Sequence, residues 1–358
     1  VAAPPDHLLY LPFVTLAEAT PEPVAAAPPT PEPEPTLAWP DPVAGLSASK
    51  LGLHALNRGE PRLMELVRRV KPRVIKAVGD YGWLAEVKAV SPEIVTIGRI
   101  AQEQPEWINT TNPVVAGQAY VELNLEQYRA NPFVDYWEGW NEFVPVDSAR
   151  MRWFAQFEAA RACRMQELGL RAAVGGFSVG VPEYALMGDF LPALEAARRC
   201  GGIFHLHEYN APTFECLVTT GVPGIIPGAP ALNVPAGPFS LRYRFWYEGW
   251  LKPRGLGDLP LVISELGIDG VSRGACNGPV EIGWKPYRDW WVQQGLAADG
   301  DQAHLKALAW YDEQMRRDAY VLGATIFTAG AANPANEWHP FDLRDMLVPL
   351  AYYLAGQR

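Results

Sequence analysis

The chain has 358 residues, 49% of them hydrophobic, enough to bury one large core in a single catalytic domain with an appendage. Its formal net charge of −10 argues against a nucleic-acid partner, because neutralising phosphates needs clustered Lys and Arg that this sequence lacks; acidic ligands and anionic lipid are disfavoured for the same reason. No apolar stretch reaches the roughly 20 residues of a membrane helix, so no membrane span is expected.

Residues 1–45 hold twelve of the 34 prolines, and the run TPEPVAAAPPTPEPEP over 20–35 alternates Pro with Glu and Ala. Such a segment cannot bury enough apolar surface to offset its ordering entropy, so residues 1–45 are predicted to be an extended tail or linker. The apolar stretch LLYLPFVTLA at 8–17 is too short to span a bilayer and lacks the basic leader of an intact signal peptide. Pro-Thr-Glu linkers of this kind resemble those of secreted bacterial polysaccharidases. With Val rather than Met at position 1, that implies a secreted or cell-surface protein; a cytoplasmic one is the alternative.

Residues 46–358 are predicted to form the catalytic domain. Strands buried on both faces of a parallel sheet read as short apolar runs, and eight occur: 51–56, 73–79, 94–100, 136–142, 172–178, 202–210, 261–267 and 323–330. Helical periodicity fills the gaps between them. One helix starts at a Ser148 cap and stops at Gly169, and another covers 301–318. Eight strands alternating with helices predict a (β/α)8 TIM barrel, and the long connections at 101–135, 211–238 and 268–300 fall at its carboxyl-end face. No Gly-x-Gly-x-x-Gly turn follows an early strand, which leaves a doubly wound dinucleotide fold without support.

The chemistry sits at strand ends. Run four closes on Trp140-Asn141-Glu142 and run seven on Ser264-Glu265-Leu266-Gly267. In a barrel these glutamates face each other across the mouth. Retaining cleavage of a glycosidic bond needs such a pair about 5–5.5 Å apart, one carboxyl protonating the leaving oxygen while the other attacks the anomeric carbon.

YWEGWNEF resembles the acid/base motif of clan A glycoside hydrolases, families 5 and 39 in particular, where Asn-Glu closes strand four and a glutamate on strand seven is the nucleophile. The resemblance covers about 51–355 and implies Glu142 as acid/base and Glu265 as nucleophile. It further implies His207 and Tyr209 of FHLHEYN as supporting groups, with the tyrosine hydroxyl on the nucleophile. Asn141 would donate to the sugar 2-hydroxyl, and Arg99 would lie beneath the nucleophile. Glu138 also points inward and needs a cation, either Arg99 or Lys76. His205 lies deeper and reads as structural. The clan's strand-eight tryptophan is missing from GATIFTAG; either Trp338 folds back over the site or Phe327 forms its floor.

Thirteen Trp and fourteen Tyr suit the stacking of sugar rings, and Trp140 and Trp284 are expected as platforms, with His54 after strand one in a remote subsite. Cys216 and Cys276 fall in the loops after strands six and seven and could pair in an exported protein; two free thiols are the alternative. The four cysteines lack zinc spacing, and neither metal nor cofactor is called for. The expected activity is hydrolysis of a β-linked poly- or oligosaccharide by a monomer working through a covalent glycosyl-enzyme. The alternative is a catalytically inactive carbohydrate-binding barrel.

Overall fold

A computed structural model describes residues 38–56, 60–104, 110–272 and 276–357. The apolar stretch at 8–17 and the Pro-Glu run at 20–35 lie outside these residues. The predicted tail ends earlier than position 45. Val43 N–H bonds to Arg69 O at 2.8 Å, Arg69 donates to Pro40 O and Lys71 to Val43 O, so this strip is part of the barrel domain.

Eight parallel strands form the barrel: β1 Leu51–Ala55, β2 Val74–Val78, β3 Val95–Arg99, β4 Tyr136–Trp137, β5 Ala173–Phe177, β6 Ile203–Asn210, β7 Leu261–Ile268 and β8 Val321–Ala329. Their order is β4-β3-β2-β1-β8-β7-β6-β5, and parallel bridges Trp137–Ala172 and Phe143–Phe177 join the two ends into a closed (β/α)8 barrel. The strands are apolar on both faces because one face fills the barrel interior and the other packs under the helices. Val74, Ile97, Ala173, Ile203 and Val262 make a small cluster apart from the main core beneath the helices.

Strand positions follow the apolar runs to within about two residues, except at β4. The predicted run 136–142 keeps strand pairing only over Tyr136–Trp137. Beyond it, Gly139 passes so close to the buried pair Glu158–Arg161 that a Cβ there would lie 2.9 Å from Glu158 Oε1. Arg161 closes the thin β4–β5 seam. Its guanidinium donates to Trp137 O at 3.1 Å and to Ala173 O at 2.5 Å while pairing twice with Glu158 at 2.8 Å.

The three longest helices among the described residues start on side-chain caps. The helix predicted to start at Ser148 runs Ser148–Glu167, with Asp147 rather than Ser148 as cap, its carboxylate accepting from Arg150 N–H at 2.7 Å. Asp299 caps the Gly300–Arg316 helix in the same way. Among the described residues no helix is long and apolar enough to cross a membrane.

Both cysteine pairs are bonded. Cys216–Cys276 joins the loops after β6 and β7, and Cys163–Cys200, a pairing that the sequence did not suggest, ties the Ser148–Glu167 helix to the end of the Leu191–Arg199 helix.

Candidate active site

Strand β6 shows how the site is assembled. In an extended strand alternate residues point to the same face, so His207 and Tyr209 enter the barrel mouth while Glu208 points outward, accepting from Tyr243 N–H at 2.9 Å and Tyr311 Oη at 2.5 Å. Tyr209 Oη donates to Glu265 Oε2 at 2.9 Å. His207 Nδ1 stands 3.1 Å from Glu142 Oε1 and 3.5 Å from Glu265 Oε2, so one imidazole faces both carboxylates.

Glu265 is almost wholly buried. Its Oε1 accepts from Arg99 at 2.8 Å and from Lys76 Nζ at 3.1 Å, with His54 Nε2 at 3.7 Å. Burial alone would raise the pKa of this carboxyl. His207, Lys76, Arg99 and His54 outweigh it, so the group is held well below the usual carboxylate range and stays ionised. Tyr209 is pushed the other way by burial and by the adjacent Glu265 charge, which keeps its hydroxyl a donor.

Glu142 sits differently. Its side chain is 37% exposed, and its backbone adopts φ 51, the left-handed region that L residues with a Cβ disfavour by about 1–2 kcal/mol. The turn out of β4 thus projects its carboxyl over the cavity. One oxygen from each of Glu142 and Glu265 lies within 4.8 Å of the other, with His207 between them. Asn141, beside Glu142, has its amide oxygen on the Arg99 guanidinium.

A cavity of about 360 Å³ opens above these groups, lined by Arg99, Asn141, Glu142, Tyr209, Glu265 and, on its apolar side, Phe327 and Trp338. Both alternatives for strand eight occur together. Phe327, near the end of β8, forms the floor, and Trp338 folds back edge-on against it at 5.3 Å, 38% exposed.

Glu138 takes Lys76 at 3.0 Å as its cation, with His205 Nδ1 at 3.4 Å. Burial would raise its pKa, but Lys76 and His205 bring it to about 2. His205 also contacts Ser264 Oγ at 2.9 Å and is held neutral mainly by burial. Two sets among the described residues place three ligand atoms near one another, Glu138–His205–His207 and Glu142–His207–Glu265. Lys76 and Arg99 already meet the charge of Glu138 and Glu265, so both sets are short of the anionic charge that a divalent ion needs.

Three expected substrate contacts are corrected. Trp140 is buried, stacked on Phe157 at 4.2 Å, because the period-two alternation of β4 fails after Trp137 and turns the indole under the helices. Trp284 is buried too, its indole N–H on Phe341 O at 3.0 Å and its face on the His304 ring at 4.4 Å. His54 belongs to β1 rather than to the loop after it. It is fully buried beneath Glu265, with Nδ1 on Thr328 Oγ1 at 2.9 Å, and burial holds it neutral.

The Trp284 stack has its own consequence. His304 lies between Trp284 and Trp291 with neither ring nitrogen hydrogen-bonded, and burial lowers its pKa to about 3. A histidine whose folded pKa is depressed loses stability as pH falls below its ordinary value of 6.5, since the unfolded chain then binds the proton first. His304→Phe is expected to raise unfolding free energy by about 1 kcal/mol at neutral pH and to flatten its decline from pH 7 to 5. Urea unfolding at both pH values checks this.

No protein-family model and no curated protein sequence matches the chain. Solved structures do. A family 39 glycoside hydrolase from the gut symbiont Bacteroides cellulosilyticus WH2 superposes with a TM-score of 0.54 at 14% identity, over 86% of this chain and 63% of that one. The chain therefore shares the barrel fold of that protein and spans less than two thirds of its length. A family 5 lichenase from Caldicellulosiruptor sp. F32 gives a TM-score of 0.48 at 13% identity over 91% of this chain and 98% of that one. A family 128 endo-β-1,3-glucanase from Pseudomonas viridiflava gives 0.45 at 13% over 88% and 99%.

Proposed function

We propose that this protein is a retaining glycoside hydrolase acting on a β-linked poly- or oligosaccharide. The reading rests on one observation: carboxylate oxygens of Glu142 and Glu265 lie within 4.8 Å of each other across the barrel mouth. A glycosyl-enzyme mechanism needs that short separation, whereas inversion needs about 6.5–9.5 Å to admit a water.

The unequal surroundings of the two carboxyls divide the roles. Glu265, buried and held ionised by cations, is the nucleophile; Glu142, nearer solvent and in contact with His207, gives its proton to the leaving oxygen and takes one back from water. With its amide oxygen on Arg99, Asn141 offers its NH2 to the sugar 2-hydroxyl. Trp338 and Phe327 supply the apolar faces for a ring. The two disulfides favour an oxidising compartment and so support export.

The test follows the anomer. NMR of early product should show the β-anomer from a β-glycoside, and a 2-deoxy-2-fluoro-β-glycosyl fluoride should leave its sugar on the peptide carrying Glu265. An α-anomeric first product would end the reading.

A further inference from the structure

Strand β2 reads VIKAV, and Lys76 is its one charged residue, fully buried. Placing an ammonium inside a barrel costs several kcal/mol unless carboxylates meet it. Two do: Glu138 Oε2 at 3.0 Å and Glu265 Oε1 at 3.1 Å. Glu138 is equally buried, and neither of its oxygens makes a hydrogen bond within the usual geometry, so its ion pair is to Lys76, beside the neutral His205 ring 3.4 Å away. Beneath the mouth there are thus two fixed cations, Lys76 and Arg99, and two carboxylates, Glu138 and Glu265. The set is neutral while Glu265 is ionised.

The oxygens of Glu265 are distinguishable. The cations Lys76 and Arg99 hold Oε1, while Oε2 takes the neutral Tyr209 hydroxyl and faces His207 and, beyond it, Glu142. Oε2 is therefore the attacking atom, and Oε1 becomes the carbonyl oxygen of the glycosyl ester. Once the ester forms, the carboxylate charge is gone and the buried set carries one net positive charge. Arg99, with a side chain 12% exposed, also holds Asn141, whereas Lys76 has no exposed surface and keeps only Glu138.

We propose that Lys76 is a positioning residue that drives the second half of the reaction: its uncompensated ammonium beside Oε1 draws Glu265 out of the glycosyl-enzyme, and Glu138 sets the strength of that pull. In this step water adds to the anomeric carbon as the C1–Oε2 bond breaks. The electron pair returns to the Glu265 carboxylate, and Glu142 accepts the proton of the water. The inference rests on the retaining mechanism proposed above.

The groups facing Glu265 come from five strands: His54 from β1, Lys76 from β2, Arg99 from β3, Glu138 and Glu142 from the β4 segment, and His207 and Tyr209 from β6 with His205 deeper. Asp269, just past β7, lines the same cavity and adds a negative field at Tyr209. Removing one cation from this set raises the carboxyl pKa, and removing one carboxylate lowers it. Lys76→Met and Glu138→Gln therefore act with opposite sign.

The probe is whichever of the 2,4-dinitrophenyl β-glycosides of glucose, mannose, xylose and galactose the intact protein cleaves fastest. For K76M the acid limb of kcat/KM should rise by about one pH unit or more. Rapid mixing should show a dinitrophenolate burst, with kcat down by about 10–100-fold and the first turnover reduced less. For E138Q the limb should not rise, and the burst should be no larger than in the native protein. K76Q repeats the comparison should K76M not fold, and K76R should keep the native limb. Limbs that rise in both K76M and E138Q, or equal losses in burst and steady-state rates of K76M, would overturn the proposal. A native protein that forms no fluoro-sugar adduct on Glu265 would instead sink the retaining mechanism itself.

Discussion

Glu265→Ala is expected to reduce hydrolysis by roughly 10⁴-fold or more while leaving sugar binding within a few-fold of native. On the proposed mechanism the carboxylate lost is the group that bonds the anomeric carbon, while the apolar faces Phe327 and Trp338 make no hydrogen bond to it. Glu142→Ala should behave differently. With a dinitrophenyl leaving group the first step needs no proton, so the defect falls on water attack, and azide, which needs no general base, should restore turnover and yield a β-glycosyl azide. Calorimetric binding to E265A together with azide titration of E142A separates the roles. Near-native turnover in E265A, or azide rescue of E265A to a β-azide, would contradict the assignment.

The largest effect on stability is expected at Arg161→Met. The guanidinium is fully buried and makes two bonds to Glu158 and two to backbone carbonyls of β4 and β5, across a seam where strand pairing is reduced to isolated bridges. Methionine keeps the volume but strands a buried carboxylate and two carbonyls, which costs about 3–5 kcal/mol. The double change Glu158→Gln with Arg161→Met removes the stranded charge and should recover part of that loss. Urea unfolding of the native protein and the two variants measures it. A loss below about 1 kcal/mol in R161M would mean that water reaches the seam.

Much of this architecture was legible because barrel strands obey a simple rule. Runs such as LVISELG and GATIFTAG are short and largely apolar between helical stretches, so counting them places Glu142 at the end of the fourth run and Glu265 in the seventh. Where β6 stays regular, alternation put His207 and Tyr209 on the cavity side and Glu208 behind it. The reading failed where that regularity stops. Trp140 lies three residues past the last paired residue of β4, displaced by a helix pair far along the chain that no local pattern reveals. Trp284 follows β7 in a loop, and its burial depends on His304 from the next helix. Glu138 had two possible cations in the sequence, and only the register of β2 against β3 brings Lys76 to it. The Cys163–Cys200 bond had one available signal. Both cysteines lie near the carboxyl ends of consecutive outer helices, which a barrel sets side by side.

The left-handed backbone at Glu142 bears on the history of such a chain. Glycine and asparagine accept φ 51 with little strain, whereas glutamate adopts it at a cost that the proposed acid/base role offsets. A lineage released from selection for catalysis would gain stability by drifting at this position toward Gly or Asn, and not toward the Gln or Ala that chemists substitute. On the proposed mechanism, the residue found at 142 in descendants of this barrel is therefore a record of whether they keep the acid/base group.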